Sequence, residues 1–348
     1  MKYLFYQIWP NTVANHSGIK YLCDQLASRY PEEYKSLQIP MGYVVKARNL
    51  PGKLKAVARY IDGRIAEKKK EKDYREFVHR VFRSMKDGDE VFMMEYMHPM
   101  INQCVMVSEL RKMGFHGKIY GMAHMPPRFM DENFMDKNLR EWVEPIDGLI
   151  TLGSSLTSYF EGRGVAASKI FTLFHYVSEY YVAKDIIPHE QLTAIALGNN
   201  YRDMDTLRQV VLDNPNIRFV VCQGVMDYSS YFSGTNNVTL VPFVKEEELR
   251  AWMSKADISL NCMYDTIGSN VIVTSLAMGL AMVCSDVGSI RDYCNEDDTL
   301  FCNNVDDFNQ ALRDLSNHPD QLLSMRYAAR EHARSLSIDK FHQVFCKL

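Results

Sequence analysis

The chain has no apolar run long enough to cross a bilayer as a helix. Its eight cysteines include no CxxC pair. It lacks tandem repeats, and its only low-complexity tract is the cluster Lys68-Lys69-Lys70. It has no surplus of positive charge either: 40 Lys and Arg stand against 43 Asp and Glu, a net charge of −3. Each absence removes a class. Without an apolar span, a membrane-spanning helix is not expected. Without cysteine pairs at metal or redox spacing, Cys222, Cys262 and Cys284 read as small hydrophobes in apolar strands. That usage fits a reduced, cytoplasmic setting. A net charge of −3 argues against nucleic acid as a partner. The segment Met1–Trp9 is too short and too aromatic for a signal peptide and reads as a first strand. The dinucleotide fingerprint G-x-G-x-x-G is missing as well. Gly198-Asn199-Asn200 stands at the strand end where it would fall, which argues against a Rossmann dehydrogenase.

What remains is a composition of 47% hydrophobic and 24% charged residues over 348 positions, enough for two ordinary domains. Strand patterns alternate with helical ones almost throughout, which predicts parallel α/β architecture. The most informative stretch is Asp265–Asp292. Gly268-Ser269-Asn270 supplies a loop and an N-cap serine, and Val271–Met278 is apolar enough for a buried helix. Gly279 reads as its C′ residue, Ala281–Ser285 as a strand, and Asp286–Ser289 as a second loop. A helix start aimed out of the carboxyl edge of a parallel sheet suits a phosphate or diphosphate.

That stretch resembles the donor-binding signature of the family 4 glycosyltransferases, retaining enzymes of the GT-B fold. Gly268-Ser269-Asn270-Val271 matches the family's loop, Ala277 and Gly279 its helix end, and Val283-x-Ser285-Asp286-Val287-Gly288 its strand and second loop. The chain departs from the pattern where Thr274 replaces the second glutamate, Thr266 the first (with Asp265 adjacent), and Ala281 the proline. The passage from Ile146 to Val177 is similar to the family's Asp-x-Ile-Ile-Thr-x-Ser block, ending in Phe174-His175-Tyr176-Val177 where others have Pro-His-Gly-Val.

The resemblance implies two Rossmann-like parallel α/β domains facing a cleft. Residues 1–175 would bind the acceptor, residues 176–334 the donor, and a last helix over about 335–348 would cross back. It implies His124 and Arg202 as catalytic residues. His124 ends a strand before Pro126-Pro127; Arg202 takes the place of the family's phosphate-binding lysine. Asn199 falls where the family has an arginine, so one of two expected cations is missing. Donor contacts would come from Asn199, Phe243, Val244, Asp265, Gly268, Ser269, Asn270, Val271 and Thr274, and Ser17-Gly18 would form the acceptor and phosphate loop. Asp203-x-Asp205 could be mistaken for a metal-binding pair. Asp205 is better read as a cap or first-turn acid, and no metal is expected.

The implied reaction is transfer of a sugar from a UDP- or GDP-sugar, with no cofactor, to a glycan, lipid-linked or other hydroxyl acceptor. Configuration would be retained, in the setting of cell-surface polysaccharide assembly. Retaining hydrolysis would instead call for two facing carboxylates, and no such pair stands out. Two alternatives remain open: a GT-B-like binding or partner subunit with weak turnover, and a nucleotide-sugar epimerase of the same fold. Residues 46–86 stand apart: fourteen basic residues face five acidic ones, leaving about +9. Leu54, Ala58, Ile61 and Ile65 fall there at helical spacing. The segment reads either as a solvated helical face or as a surface for anionic lipid or a phosphorylated acceptor, the latter making the protein peripheral on the inner face of a membrane.

Overall fold

The computed structural model describes residues 1–9, 14–41 and 52–348; the side chains of 52–60 and 136–138 lie outside that description. The basic residues Lys46 and Arg48 therefore fall outside the described residues, as do the side chains of Leu54 and Ala58. The chain divides into two compact units. The first comprises Met1–His124, Asp131–Thr151 and Glu161–Phe171; the second comprises Met125–Met130, Leu152–Phe160 and Thr172–Leu348.

The first unit carries strands β1 (Lys2–Tyr6), β2 (Tyr34–Gln38), β3 (Glu90–Tyr96), β4 (Ile119–Ala123), β5 (Gly148–Thr151) and β6 (Ile170–Thr172), in the order β2-β1-β3-β4-β5-β6. β1 pairs in parallel with β2 and β3, β3 with β4, and β4 with β5. Helices α1 (Ile19–Arg29), α2 (Gly52–Phe82) and α3 (Cys104–Lys112) connect the first four strands; of the next three, α5 (Asp136–Val143) belongs to this unit, α4 (Pro127–Asn133) is divided between the units, and α6 (Ser154–Glu161) falls in the second but for its last residue. α2 shows how the sequence builds this layer. Tyr74, Phe77, Val78 and Val81 recur at helical spacing and are buried, with the Phe77 ring edge-on to Phe5 of β1 at 5.0 Å. Ile61 and Ile65 lie on the opposite side of the same helix and are 50% and 60% exposed. Strand β2 had no counterpart in the sequence reading. Tyr34-Lys35-Ser36-Leu37-Gln38 is an edge strand with only its first residue buried, so its apolar signal is weak.

The second unit carries β7 (Thr193–Ala196), β8 (Arg218–Gly224), β9 (Val238–Pro242), β10 (Ile258–Asn261), β11 (Ala281–Ser285) and β12 (Thr299–Cys302). Their order is β12-β11-β10-β7-β8-β9, with every neighbouring pair parallel. The helices are α7 (Met204–Asp213), α8 (Glu246–Met253), α9 (Asn270–Ala277), α10 (Val305–Asn317), α11 (Pro319–Ala333) and α12 (Ile338–Phe345). Alternation along the strands sends side chains to both faces. Ile195, Met282 and Cys284 enter one core with Ile272, Leu276 and Ala329 from α9 and α11. Ala194, Ala281 and Val283 enter the other with Leu207, Val210, Phe308 and Leu312 from α7 and α10. Both faces are covered, as a fully parallel sheet requires. The predicted bounds of β11 coincide with the observed ones.

Candidate active site

Strand order in the second unit reverses between β7 and β10, and the loops leaving those two strands diverge there, the usual place for a ligand in an open parallel sheet. Backbone contacts tie the two loops together. Arg202 and Met263 form an antiparallel bridge, Asp203 N donates to Cys262 O at 3.0 Å, and Tyr264 N donates to Tyr201 O at 2.9 Å. Arg202 Nη1 donates to Asn261 Oδ1 at 3.1 Å. Asn261 in turn donates to Ser259 Oγ at 2.9 Å, and Ser259 Oγ donates to Ser275 Oγ on α9 at 2.9 Å. This polar chain, inside an otherwise apolar strand and helix, aims the guanidinium. Burial pushes Arg202 down to about 10, which leaves it cationic at neutral pH. Its Nε is buried and has no hydrogen-bond partner, and the groups acting on its charge are Cys284, Cys262 and Tyr228, none of them a carboxylate. A buried cation without a counter-charge is costly unless an anion joins it.

Space for that anion is set by glycine. Gly198, at φ +81°, follows β7; a Cβ there would stand 3.3 Å from Arg202 Nη2 and 3.2 Å from Val271 Cγ2. Arg202 and the first turn of α9 therefore border the same point. Ser269 caps α9 as predicted, its Oγ accepting from Ile272 N at 3.4 Å. The N–H groups of Asn270 and Val271 precede any intrahelical acceptor, and Asn270 Oδ1 is buried without a partner. The combination is a cation, helix-end donors and one buried acceptor, which suits a diphosphate carrying a hydroxylated group.

The remaining predicted residues fall out as follows. Asp265 braces the loop, accepting from Thr266 N at 2.8 Å and from Arg128 N at the start of α4 at 3.1 Å. Val244 packs on the core that also holds Val271, while Phe243, just after β9, is 53% exposed. Asn199 lies against Gly224 and accepts from the Tyr228 hydroxyl at 3.5 Å, so no second cation stands there. Asp203 and Asp205 both serve α7. Asp203 is its N-cap, accepting from Thr206 N at 3.0 Å, and Asp205 is its first-turn acid. Among the described residues no cluster of His, Cys, Asp and Glu could hold a metal ion. His124, Ser17 and Gly18 belong to the first unit: His124 directly follows β4, and Gly18, at φ +88°, is the N-cap of α1.

Thr274 sits one turn along α9, 7% exposed, and its hydroxyl donates to Asn270 O at 2.5 Å. The hydroxyl is thus used within the helix. Thr274→Glu is expected to tighten nucleotide binding by about tenfold or more, the value of a charged hydrogen bond to ribose. Titration calorimetry reads this directly, and weaker binding would mean that the pocket is shaped around threonine.

Sequence reasoning missed Asn261, Ser259 and Ser275. The available signal was a strand, Asp257-Ile258-Ser259-Leu260-Asn261, that places polar residues where a buried parallel strand is normally apolar. It also missed the wiring of Asp292 and Tyr293, just past the second loop, to Leu152, Ser154 and His175 of the same unit. The Tyr293 hydroxyl donates to Leu152 O at 2.5 Å and accepts from His175 N at 2.9 Å. Asp292 accepts from Ser154 N at 2.6 Å.

Residues 202–318 match the family described as Glycosyl transferases group 1. No curated protein matches the sequence. Solved structures of similar fold include HepE of Anabaena in complex with UDP, at 12% identity and TM-score 0.73 over 100% of this chain and 99% of that one. Another is the sucrose-phosphate synthase of Thermosynechococcus elongatus, at 12% identity and TM-score 0.71 over 99% and 97%. A third is the lipopolysaccharide outer core galactosyltransferase WaaB, at 14% identity and TM-score 0.69 over 100% of both chains. The match begins at Arg202 and takes in β10 and α9; residues 202–318 are thus similar to the glycosyl transferases group 1 family, within a chain whose fold is that of the GT-B structures.

Proposed function

We propose that the chain transfers a sugar from a nucleotide-sugar donor to a hydroxyl acceptor, with retention of configuration and without a metal. The observation that carries this reading is the buried, uncompensated guanidinium of Arg202 beside the capped start of α9. As the bond from C1 to the diphosphate oxygen breaks, negative charge grows on the leaving group. Arg202 and the N–H groups of Asn270 and Val271 neutralise it. The acceptor oxygen attacks C1 from the same side, and its proton passes to the departing phosphate oxygen.

HepE has been solved with UDP and with UDP-glucose, which makes uridine nucleotides the first donors to try. WaaB, a lipopolysaccharide galactosyltransferase, suggests a glycan or lipid-linked acceptor in cell-surface assembly. In a thermal-shift panel of UDP, GDP, ADP and their glucose esters, at least one nucleotide is expected to raise the melting temperature. At 100 times its Kd the gain is about 2.7 kcal/mol. The same donor should then be consumed faster when an acceptor is added. No shift with any nucleotide would sink the reading. A shift without turnover would favour a donor-binding subunit, the reading that Thr274's internally used hydroxyl supports.

No helix among the described residues is long and apolar enough to cross a membrane. Ile61 and Ile65 nonetheless stand exposed on α2 among exposed Arg64, Lys68, Lys69 and Lys72. This face is proposed to meet an anionic surface, at about 1 kcal/mol per basic residue. Sedimentation with anionic vesicles should weaken as salt rises and vanish when Lys68, Lys69 and Lys72 become glutamate. Equal sedimentation with neutral vesicles would return α2 to a solvated helix.

A further inference from the structure

The sheet of the first unit has its own switch point, between β1 and β3, where strand order reverses. Two side chains at the carboxyl ends of those strands are locked together. Glu95 of β3 is 1% exposed. Its Oε2 accepts from Gln7 N at 2.6 Å, and its Oε1 accepts from the indole Nε1 of Trp9 at 2.5 Å. Glu95 is itself held from behind: Gln103 Oε1 accepts from Glu95 N at 3.2 Å, and Gln103 Nε2 donates to Phe5 O at 3.3 Å. Trp9 is fixed at one edge by this carboxylate and packs edge-to-face on His98, with ring centroids 5.8 Å apart. It still leaves 39% of its surface open. The backbone beside the pair is strained, since Met97 and Asn102 adopt φ of +57° and +56° without being glycine. Such strain concentrates at functional sites.

A buried carboxylate is an expensive way to hold a surface tryptophan, and a protein that needed only a folded loop would bury the indole instead. What the arrangement provides is a rigid aromatic plate at a ligand-binding edge of the sheet. A plate already fixed loses little entropy when a ligand arrives. The ligand that fits is one with an apolar face and a hydroxylated rim, which describes a pyranose ring. We infer that Trp9, pinned by Glu95, is the platform on which a sugar ring of the acceptor stacks. Trp9 is the residue that touches the acceptor, and Glu95 is a positioning residue. The inference rests on the transferase reading and narrows it: the acceptor is a glycan or glycolipid headgroup with an exposed pyranose.

The test follows the ring itself. Protein labelled with fluorotryptophan gives fluorine resonances for Trp9, Trp142 and Trp252, and Trp9→Phe assigns the first. Methyl and octyl pyranosides of glucose, galactose, mannose and N-acetylglucosamine are titrated with UDP present. At least one should shift the Trp9 resonance saturably while the other two stay in place. If none of them moves it, or if the shift persists for a non-sugar detergent of equal chain length, the platform is overturned. In Trp9→Ala the half-saturating concentration of the effective pyranoside, followed by calorimetry, should rise about tenfold, and Trp9→Phe should recover part of that loss.

Glu95 is checked separately. Burial raises its carboxyl from the usual range to about 7. The titratable groups that act on or through it are Cys23 on α1 and Tyr74 on α2, both raised by burial and neutral near pH 7, with His98 lowered by burial beyond the indole. The Trp9 resonance should therefore titrate near pH 7 and cease to do so in Glu95→Gln. A merely structural carboxylate would change the melting temperature without that midpoint. Nucleotide binding separates the two readings: sugar stacking with no nucleotide shift would sink the transferase proposal and leave the platform standing.

Discussion

Replacing Arg202 with alanine is expected to lower turnover by about 10²-fold or more while leaving the protein folded. The guanidinium donates one hydrogen bond, to Asn261, and has no carboxylate acting on it, so its removal costs little native bonding. Loss of that bond costs about 1 kcal/mol, and relief of a buried charge works in the opposite direction. The melting temperature of the free protein should therefore stay near that of the parent. The nucleotide-induced shift should shrink sharply. Arg202→Lys keeps the charge and loses the planar guanidinium with its several fixed donors, so an intermediate rate is expected. A folded Arg202→Ala protein with undiminished turnover would remove Arg202 from the site. The charge also sets an alkaline limit, since a group at about 10 keeps its proton through neutral pH and loses it only as pH rises through that value.

Gly268→Ala should have the largest effect on stability. Gly268 lies at φ +81°, and a Cβ there would approach Tyr293 Cε2 to 2.0 Å. Tyr293 is fully buried, and its hydroxyl is engaged by Leu152 O and His175 N, so the ring has nowhere to retreat. Left-handed strain of about 1–3 kcal/mol adds to overpacking of about 1–3 kcal/mol. A loss near 4 kcal/mol corresponds to roughly 10 °C or more in the melting temperature of a unit this size. Gly234→Ala is the matched control, because Gly234 has φ +83° with nothing within 4 Å of the added Cβ. If both variants lose equally little, the contact with Tyr293 is not what holds the loop.

The legible parts of the molecule were those where local chemistry and tertiary demand agree. Ser269 and Gly279 bound α9 because a hydroxyl cap and a left-handed glycine are local devices. Ala281–Ser285 was readable as a strand because a buried parallel strand is an uninterrupted apolar run. β2 was not legible, since an edge strand needs few apolar residues. α4 and α5 were not legible either: Pro126-Pro127 reads as a rigid loop, yet Pro127 begins α4 and Met135 precedes α5. Within the site, sequence pattern reached Arg202 and the loop at Gly268 because they sit at strand ends. It could not reach Asn261, Ser259 and Ser275, whose meaning lies in contacts across β10 and α9. Nor could it reach Glu95, which looks like one acidic residue in Glu90-Val91-Phe92-Met93-Met94-Glu95-Tyr96 until Gln7 and Trp9 are seen to donate to it.

The unneutralised depth of Arg202 bears on the lifetime of the protein as well as on its chemistry. Opening of the switch-point loops rehydrates that charge, so in the empty state the charge itself favours opening. A diphosphate that binds only the closed form reverses the preference. Cleavage by a protease that attacks opened loops tracks the population of the open form. The half-life of the chain in a cell extract should then lengthen with nucleotide-sugar concentration, making donor supply a determinant of how much of the protein persists.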